Sequence, residues 1–426
     1  MDDTKTIVSD PKFQKIGQNS ENIIIIQGDS NNLATEFFTY GLNFKKSAHI
    51  ITEHLFSSRP DISKLDTYFF SLAYLYRHSL ELILKAIGFQ YIKEQSERKK
   101  FITDTFHNLS EILREISPYI QDQIKNNKDG YSWLVSLFDD MSLKDKESDS
   151  FRYPFGITVI TDQDPFSEMP KKYGIKAFFE KQTHIDLIAF VCKMEVAFNI
   201  LSNYYSNTSK IIEDYKKYNP LFLEEGGSYY GQSVVGYSYS RNRFYPYVKA
   251  YSESADILHQ YMSKKEKTKD SLFIPMCYLY RNGIELAIKE ILFEECSLDH
   301  QSAVKKIKEK KHSILALWNS IKIEVVRHAG VSDDDAHILN VEKYIQQLHD
   351  FDGASDKFRY PTNKDLQMHY KKPKKFDVDN VAGFFGQLSY FLHGVCLMMS
   401  AQNEMQADME AEYRAQMPDE YDYMDY

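Results

Sequence analysis

Apolar positions recur at steps of three and four along most of the chain. Phe69, Leu72, Ala73, Tyr76, Leu80, Ile83, Leu84 and Ile87 form one stripe. Phe273, Met276, Cys277, Tyr280, Ile284, Ala287, Ile288 and Ile291 form another. This is the period of an amphipathic helix. The same spacing predicts a helix before each stripe, at about 37–56 and 247–263. It predicts another after each, at about 107–126 and 312–326, and a long apolar helix at about 178–205 and 378–403. Strand signals are few. The isoleucines of NIIIIQGDSNNL read as a strand entering a turn. GGSYYGQSVVGYSYSRNR reads as a Gly/Ser/Tyr-rich linker with short strands, and ITVITDQDPFSEMP as a hairpin-like insertion.

The polar positions set into these stripes repeat. YLYRHSLELILK at 74–85 returns as YLYRNGIELAIK at 278–289, with seven of twelve positions identical. FHNLSEIL at 106–113 is echoed by KHSILALW at 311–318, and SDSFRYP at 148–154 by SDKFRYP at 355–361. The offsets are 204, 205 and 207 residues. Order and spacing kept together across three motifs point to an internal duplication. The expected fold is all-α: two tandem bundles of four or five helices forming a pseudo-two-fold unit. Short β elements are expected at the N-terminus, in the linker and after the first FRYP. The chain divides into an N-terminal extension (1–36), a first bundle (37–205), a linker (206–246), a second bundle (247–403) and an acidic, Tyr-rich tail (404–426). The end of that tail, MPDEYDYMDY, has the composition of a disordered segment.

Composition narrows the picture a little. No run of 18–20 apolar residues predicts a membrane crossing, and MDDTKTIVSDPK has no secretory pattern. The four cysteines lack CxxC spacing, which speaks against zinc and disulfides and suits a cytoplasmic protein. Of the net charge of −9, the tail carries −7, from eight acidic residues and one arginine. The body is therefore nearly neutral, and nucleic-acid binding stays open.

Candidate chemistry lies in the repeats. Arg77, Glu81 and Lys85 step by four, as do Arg281, Glu285 and Lys289, so each set lies along one helix edge. One reading is a structural ladder of ion pairs. An exposed pair contributes only about 0.3–0.5 kcal/mol, so a ladder kept in both halves is either buried or used. The FRYP arginines, Arg152 and Arg359, precede Tyr-Pro in an extended turn. They are placed either to pair with Glu81 or Glu285 of their own bundle or to hold phosphate, which suits a planar guanidinium. His107 and His312 stand at helix starts as packing groups or as acid–base catalysts. Basic runs add Lys305, Lys306, Lys371 and Lys372 as phosphate-binding candidates against a solvated-surface reading. Asp333–Asp335 with His337 reads as a solvated loop or a helix cap rather than a metal site. No P-loop, GxGxxG or HExxH motif is present, and no metal or cofactor is expected.

The Tyr-rich YRHSLELILK helix and the following His-Asn-Leu helix, within a bundle of four to five helices, resemble the HEPN superfamily. The resemblance covers 37–205 and 247–403. It implies a prokaryotic toxin or antiviral-defence protein acting on RNA, with a site at a two-fold interface that a tandem chain would carry within itself. The Arg-x4–6-His pair of that superfamily's ribonucleases is missing. Metal-independent cleavage would then fall to another set: Arg77, His107, Arg281 and His312. The alternative is a non-catalytic sensor or interaction module. In that case a protein partner is bound through the linker, the N-terminal strand or the acidic tail, and further assembly is left open.

Overall fold

The computed structural model describes residues 11–57, 61–160, 172–208, 210–236 and 243–416. The end of the acidic tail and the tip of the insertion after the first FRYP lie outside them. The first half runs β1 (Ile23–Ile26), α1 (Leu33–Phe56), α2 (Ile62–Tyr91), α3 (Gln95–Thr105), α4 (Leu109–Ile116), α5 (Gln121–Asn126) and α6 (Lys128–Asp145), then β2 (Phe155–Ile160), β3 (Lys172–Ala177), β4 (Thr183–Asp186) and α7 (Leu187–Ser206). The second half runs β5 (Gln232–Val235), α8 (Tyr245–Lys264), α9 (Lys269–Glu290), α10 (His300–Lys310), α11 (Ile314–Ala329), α12 (Ala336–Asp352), β6 (Lys374–Asp377) and α13 (Val378–Gln416). Among the described residues the architecture is helical, with short two-stranded sheets.

The centre is made by α2 and α9. Every residue from 67 to 89 and from 272 to 290 is buried. A helix buried on all sides must be the middle of the structure. The pair α1 and α2 packs against the pair α8 and α9. The seam holds a buried Ser71–Ser254 hydrogen bond of 2.7 Å and stacked Tyr74 and Tyr278 rings, 4.7 Å between centroids. Gly41 of α1 permits a close approach to α2, since a Cβ there would meet Ser79 O at 3.2 Å.

The strands cross between halves. β1, ahead of the first half's leading helix, pairs antiparallel with β6, ahead of the second half's last helix. β5, ahead of α8, pairs antiparallel with β4, ahead of α7. The segments set apart in sequence as an extension (1–36) and a linker (206–246) thus supply strands at corresponding places. The insertion after the first FRYP is the antiparallel β2–β3 hairpin.

The stripes did not locate α3, α6, α10 or α12, and the predicted elements differ from the structure mainly in three places. The predicted helix at 107–126 is broken into α4, a 3-10 turn at Ser117–Ile120 and α5, with Pro118 at the break. Residues 183–186, read as helix, form β4. The helix expected to end near 403 continues through the start of the acidic tail to Gln416. Asp335 caps α12, accepting from His337 N at 2.8 Å. Two helices, α7 and α13, are long and apolar enough by composition to cross a membrane, and 61% of the apolar window of α7 is buried within the fold.

Candidate functional site

Each ladder is buried and folded onto its own helix. Arg77 Nη1 donates to Glu81 Oε2 at 2.6 Å, and Lys85 Nζ donates to Glu81 Oε1 at 2.7 Å. Arg281 Nη1 and Lys289 Nζ do the same to Glu285, at 2.8 and 2.7 Å. Arg77 and Arg281 are 1% and 0% exposed. Their second Nη groups are occupied too, whereas Arg281 Nε has no hydrogen-bond partner within range. Arg77 Nη2 donates to His107 O, and Arg281 Nη2 donates to His312 O at 2.6 Å. Arg77 Nε lies 3.1 Å from Asp145 Oδ2, while Arg281 Nε lies 3.9 Å from Asp352 Oδ2. Neither guanidinium reaches solvent.

The histidines are placed by matching turns. Phe106 and Lys311 end α3 and α10 with φ of 43° and 50°, and their N–H groups bond back to Ile102 O and Ile307 O. A positive φ is costly for residues other than glycine. The turn throws the next residue, His107 or His312, against the ladder, while Asn108 and Ser313 cap the helices that follow. His107 Nδ1 lies 3.0 Å from Glu81 Oε1, and His312 Nδ1 lies 3.0 Å from Glu285 Oε1. The histidine side chains remain 29% and 38% exposed.

The FRYP motifs complete the opposite half. Their arginines were read either as partners for the glutamate of their own bundle or as phosphate holders. Instead the tyrosine crosses over. Tyr153 OH donates to Glu285 Oε1 at 2.9 Å and lies 3.0 Å from His312 Nδ1. Tyr360 OH donates to Glu81 Oε1 at 2.8 Å and lies 3.2 Å from His107 Nδ1. Arg152 and Arg359 are buried beneath and brace their own tyrosines. Arg152 Nη2 donates to Tyr153 OH at 2.8 Å, and Arg359 Nη2 donates to Tyr360 OH at 3.3 Å. Arg359 Nε also reaches Tyr74 OH at 3.1 Å. Each Lys–Glu pair is roofed by the incoming ring, with Lys289 Nζ 4.4 Å from the Tyr153 centroid and Lys85 Nζ 5.2 Å from that of Tyr360.

These contacts set the charge states. Burial alone would favour neutral carboxyls, but Lys85, His107 and Arg77 hold Glu81 well below the usual carboxylate range. Lys289, His312 and Arg281 do the same for Glu285. Burial pushes Tyr153 and Tyr360 well up, so both remain phenols. Burial, opposed by Glu81, lowers His107 below its ordinary value. Glu285 pulls His312 up, yet burial together with Arg152 and Lys289 outweighs it, and His312 is also lowered. Each imidazole is therefore neutral near pH 7. Its Nδ1–H faces the glutamate, and its Nε2 lone pair faces outward.

The second site opens into a cavity of about 180 Å³ lined by Tyr153, Lys289, Lys308, Lys311 and His312, together with Asp149, which is paired with Arg152 at 3.5 Å, and with Phe155 and Ile157 of the hairpin as a wall. Of the other sequence candidates, Lys305 lies on the exposed face of α10 beside Glu309, at 4.0 Å. Lys306 is half-buried on that helix, and Lys371 and Lys372 are exposed in the turn before β6. None of the four lines the cavity. Sequence reasoning passed over Tyr153, Tyr360, Asp145 and Asp352. The signal was present, since D-x-x-S-D-x-F-R-Y-P stands at both 145–154 and 352–361.

The fold and site define a helical protein with two buried Arg–Glu–Lys ladders, each joined to a histidine and capped by a tyrosine from the other half. No family model matches the sequence, and comparison with curated proteins and with solved structures returns no match.

Proposed function

We propose that the chain is a fused pair of HEPN-like units that engages RNA or a nucleotide in the cytoplasm, as a defence or toxin protein, and that it cleaves RNA without a metal. One observation carries this reading: a neutral, partly exposed His312 oriented by Glu285 and Tyr153 at the mouth of a lysine-lined cavity. A glutamate-oriented imidazole with an open Nε2 has the form of a general base. It takes the proton of a ribose 2′-hydroxyl, and the freed oxygen attacks the adjacent phosphorus. The P–O5′ bond breaks, and the departing oxygen takes a proton from a lysine ammonium at the rim. Lysine charge stabilises the phosphorane. In this mechanism His312 touches substrate, and His107 holds the matching place in the first half. Arg77 and Arg281 are positioning residues, because their guanidiniums are sealed in the interior. The test is RNA hydrolysis in EDTA. His107→Ala with His312→Ala should lower the rate by about 10²–10⁴-fold, and undiminished cleavage by the pair overturns the assignment.

A second reading is favoured by the complete burial of Arg77 and Arg281: the networks are structural, and the protein is a binding or sensing module in a defence complex. Its partner surfaces would then be the N-terminal segment, the linker and the acidic C-terminal region. RNA bound but not cut by the native chain supports this reading over the first.

A further inference from the structure

The two histidine sites share an interior but not a rim. The 205-residue offset that aligns His107 with His312 also aligns Thr103 with Lys308 and Phe106 with Lys311. Lys308 and Lys311 are exposed and line the cavity over His312. Among the described residues, neither has a carboxylate partner in an ion pair. At the first site the same two places hold a neutral hydroxyl and a phenyl ring that is 58% exposed. The walls differ as well. The β2–β3 hairpin flanks the second site and is fixed to α10 by Tyr173 N to Gln301 Oε1 at 2.8 Å and Gln301 Nε2 to Tyr173 O at 2.7 Å. After the second FRYP, at the corresponding place, the described residues form the short Thr362–Met368 bridge, and Asp365 within it is paired with Lys99 at 3.0 Å.

We infer that the second site alone is a phosphate-binding site, in which Lys308 and Lys311 select the anion and place it against His312. The first site repeats the inner network without this capacity. The inference takes from the proposed function only the ligand class, a phosphate group. Two ammonium groups three positions apart offer charge-assisted contacts to phosphate oxygens, and the open Nε2 of His312 accepts from the P–OH of hydrogenphosphate. The Lys289 ammonium does not add to them, because Glu285 neutralises it.

The test is titration of the full-length chain with inorganic phosphate, followed by calorimetry and by the imidazole proton signals of His107 and His312. One binding event per chain is expected, with the His312 signal moving and the His107 signal still. Lys308→Thr with Lys311→Phe, which gives the second rim the chemistry of the first, should weaken phosphate by about tenfold or more while leaving the melting temperature in place. The reciprocal Thr103→Lys with Phe106→Lys should create a second event. Lysine is compatible with the turn at 106, since Lys311 already adopts it at φ 50°. Two equal events in the native chain, no event, or an event indifferent to Lys308 and Lys311 overturns the inference. Phosphate bound at this rim by a chain that neither binds nor cuts RNA keeps the anion site and removes the RNA reading. RNA cleavage lost on His107→Ala but kept on His312→Ala removes the single-site inference and leaves RNA cleavage standing.

Discussion

The interiors of the two histidine sites repeat the same side chains in the same roles, the Arg–Asp contact alone opening from 3.1 to 3.9 Å, while their rims differ in kind. Arg, Glu, Lys, His, Asp and a crossing Tyr recur in both, with hydrogen bonds that mostly differ by a few tenths of an ångström. Outside them, two lysines and a hairpin stand opposite a threonine, a phenylalanine and a short turn. The difference teaches where constraint lies. A buried charge tolerates no loss of a partner, because the group left behind cannot be hydrated. An exposed lysine answers to no such demand and is free to change.

The largest test of the comparison is on the ladders. Arg77→Ala or Arg281→Ala leaves a buried glutamate short of a partner and should cost about 3–5 kcal/mol each, read as denaturant midpoints. Similar losses on both sides are expected, and a loss on one side only would break the equivalence of the interiors. Next come the crossing tyrosines. Tyr153→Phe and Tyr360→Phe each remove a hydrogen bond to a carboxylate and should cost about 1.5–3 kcal/mol. Tyr153→Phe should also shift the titration of His312 while leaving His107 in place, since each hydroxyl serves the opposite half.

A smaller effect separates the two halves by pH. His78 Nε2 donates to Arg359 O at 2.9 Å. Burial, with Arg359 and Arg77 adding to it, holds His78 well below its ordinary value. Its place in the second half is taken by Asn282, which does not titrate. A histidine with a depressed folded pKa contributes stability that is complete above its unfolded value near 6.5 and lost as pH falls toward the folded value. His78→Asn should therefore flatten the decline in melting temperature between about pH 6.5 and 5. An unchanged acid slope would show that His78 is not its source. The least effect belongs to the rim. Lys308→Thr should change stability by no more than about 0.5 kcal/mol, and a larger loss in thermal unfolding would mean that this lysine is part of the interior after all.

Much of this was legible in the chain. The 3.6-residue stripes located α1, α2, α8 and α9, because a helix at the centre must be apolar at every turn. The matched ladders pointed to groups that do not drift freely. What stayed hidden lay partly in short or irregular segments, though the 18-residue α6 and the 17-residue α12 also went unlocated. α3 and α10 are only eleven residues each and mostly polar, so their apolar period is weak. The turns at Phe106 and Lys311 use a backbone shape that carries no residue signature when glycine is absent. The capping tyrosines were in plain sight inside FRYP, but the neighbouring arginines drew the attention due to them, since guanidinium is the more familiar partner of a carboxylate.

Local sequence decided which segments are helices, which side chains lie on one helix edge, and that two distant stretches carry the same polar ladder. Those properties depend on neighbours within a turn or two. Tertiary structure alone decided that Tyr153 serves Glu285 and Tyr360 serves Glu81, that β1 closes on β6, and that Lys308 and Lys311 face a cavity while Lys305 and Lys306 do not. Such pairings join residues more than a hundred positions apart. They are fixed by how the two helix pairs pack around Tyr74 and Tyr278, and no periodicity along the chain encodes that.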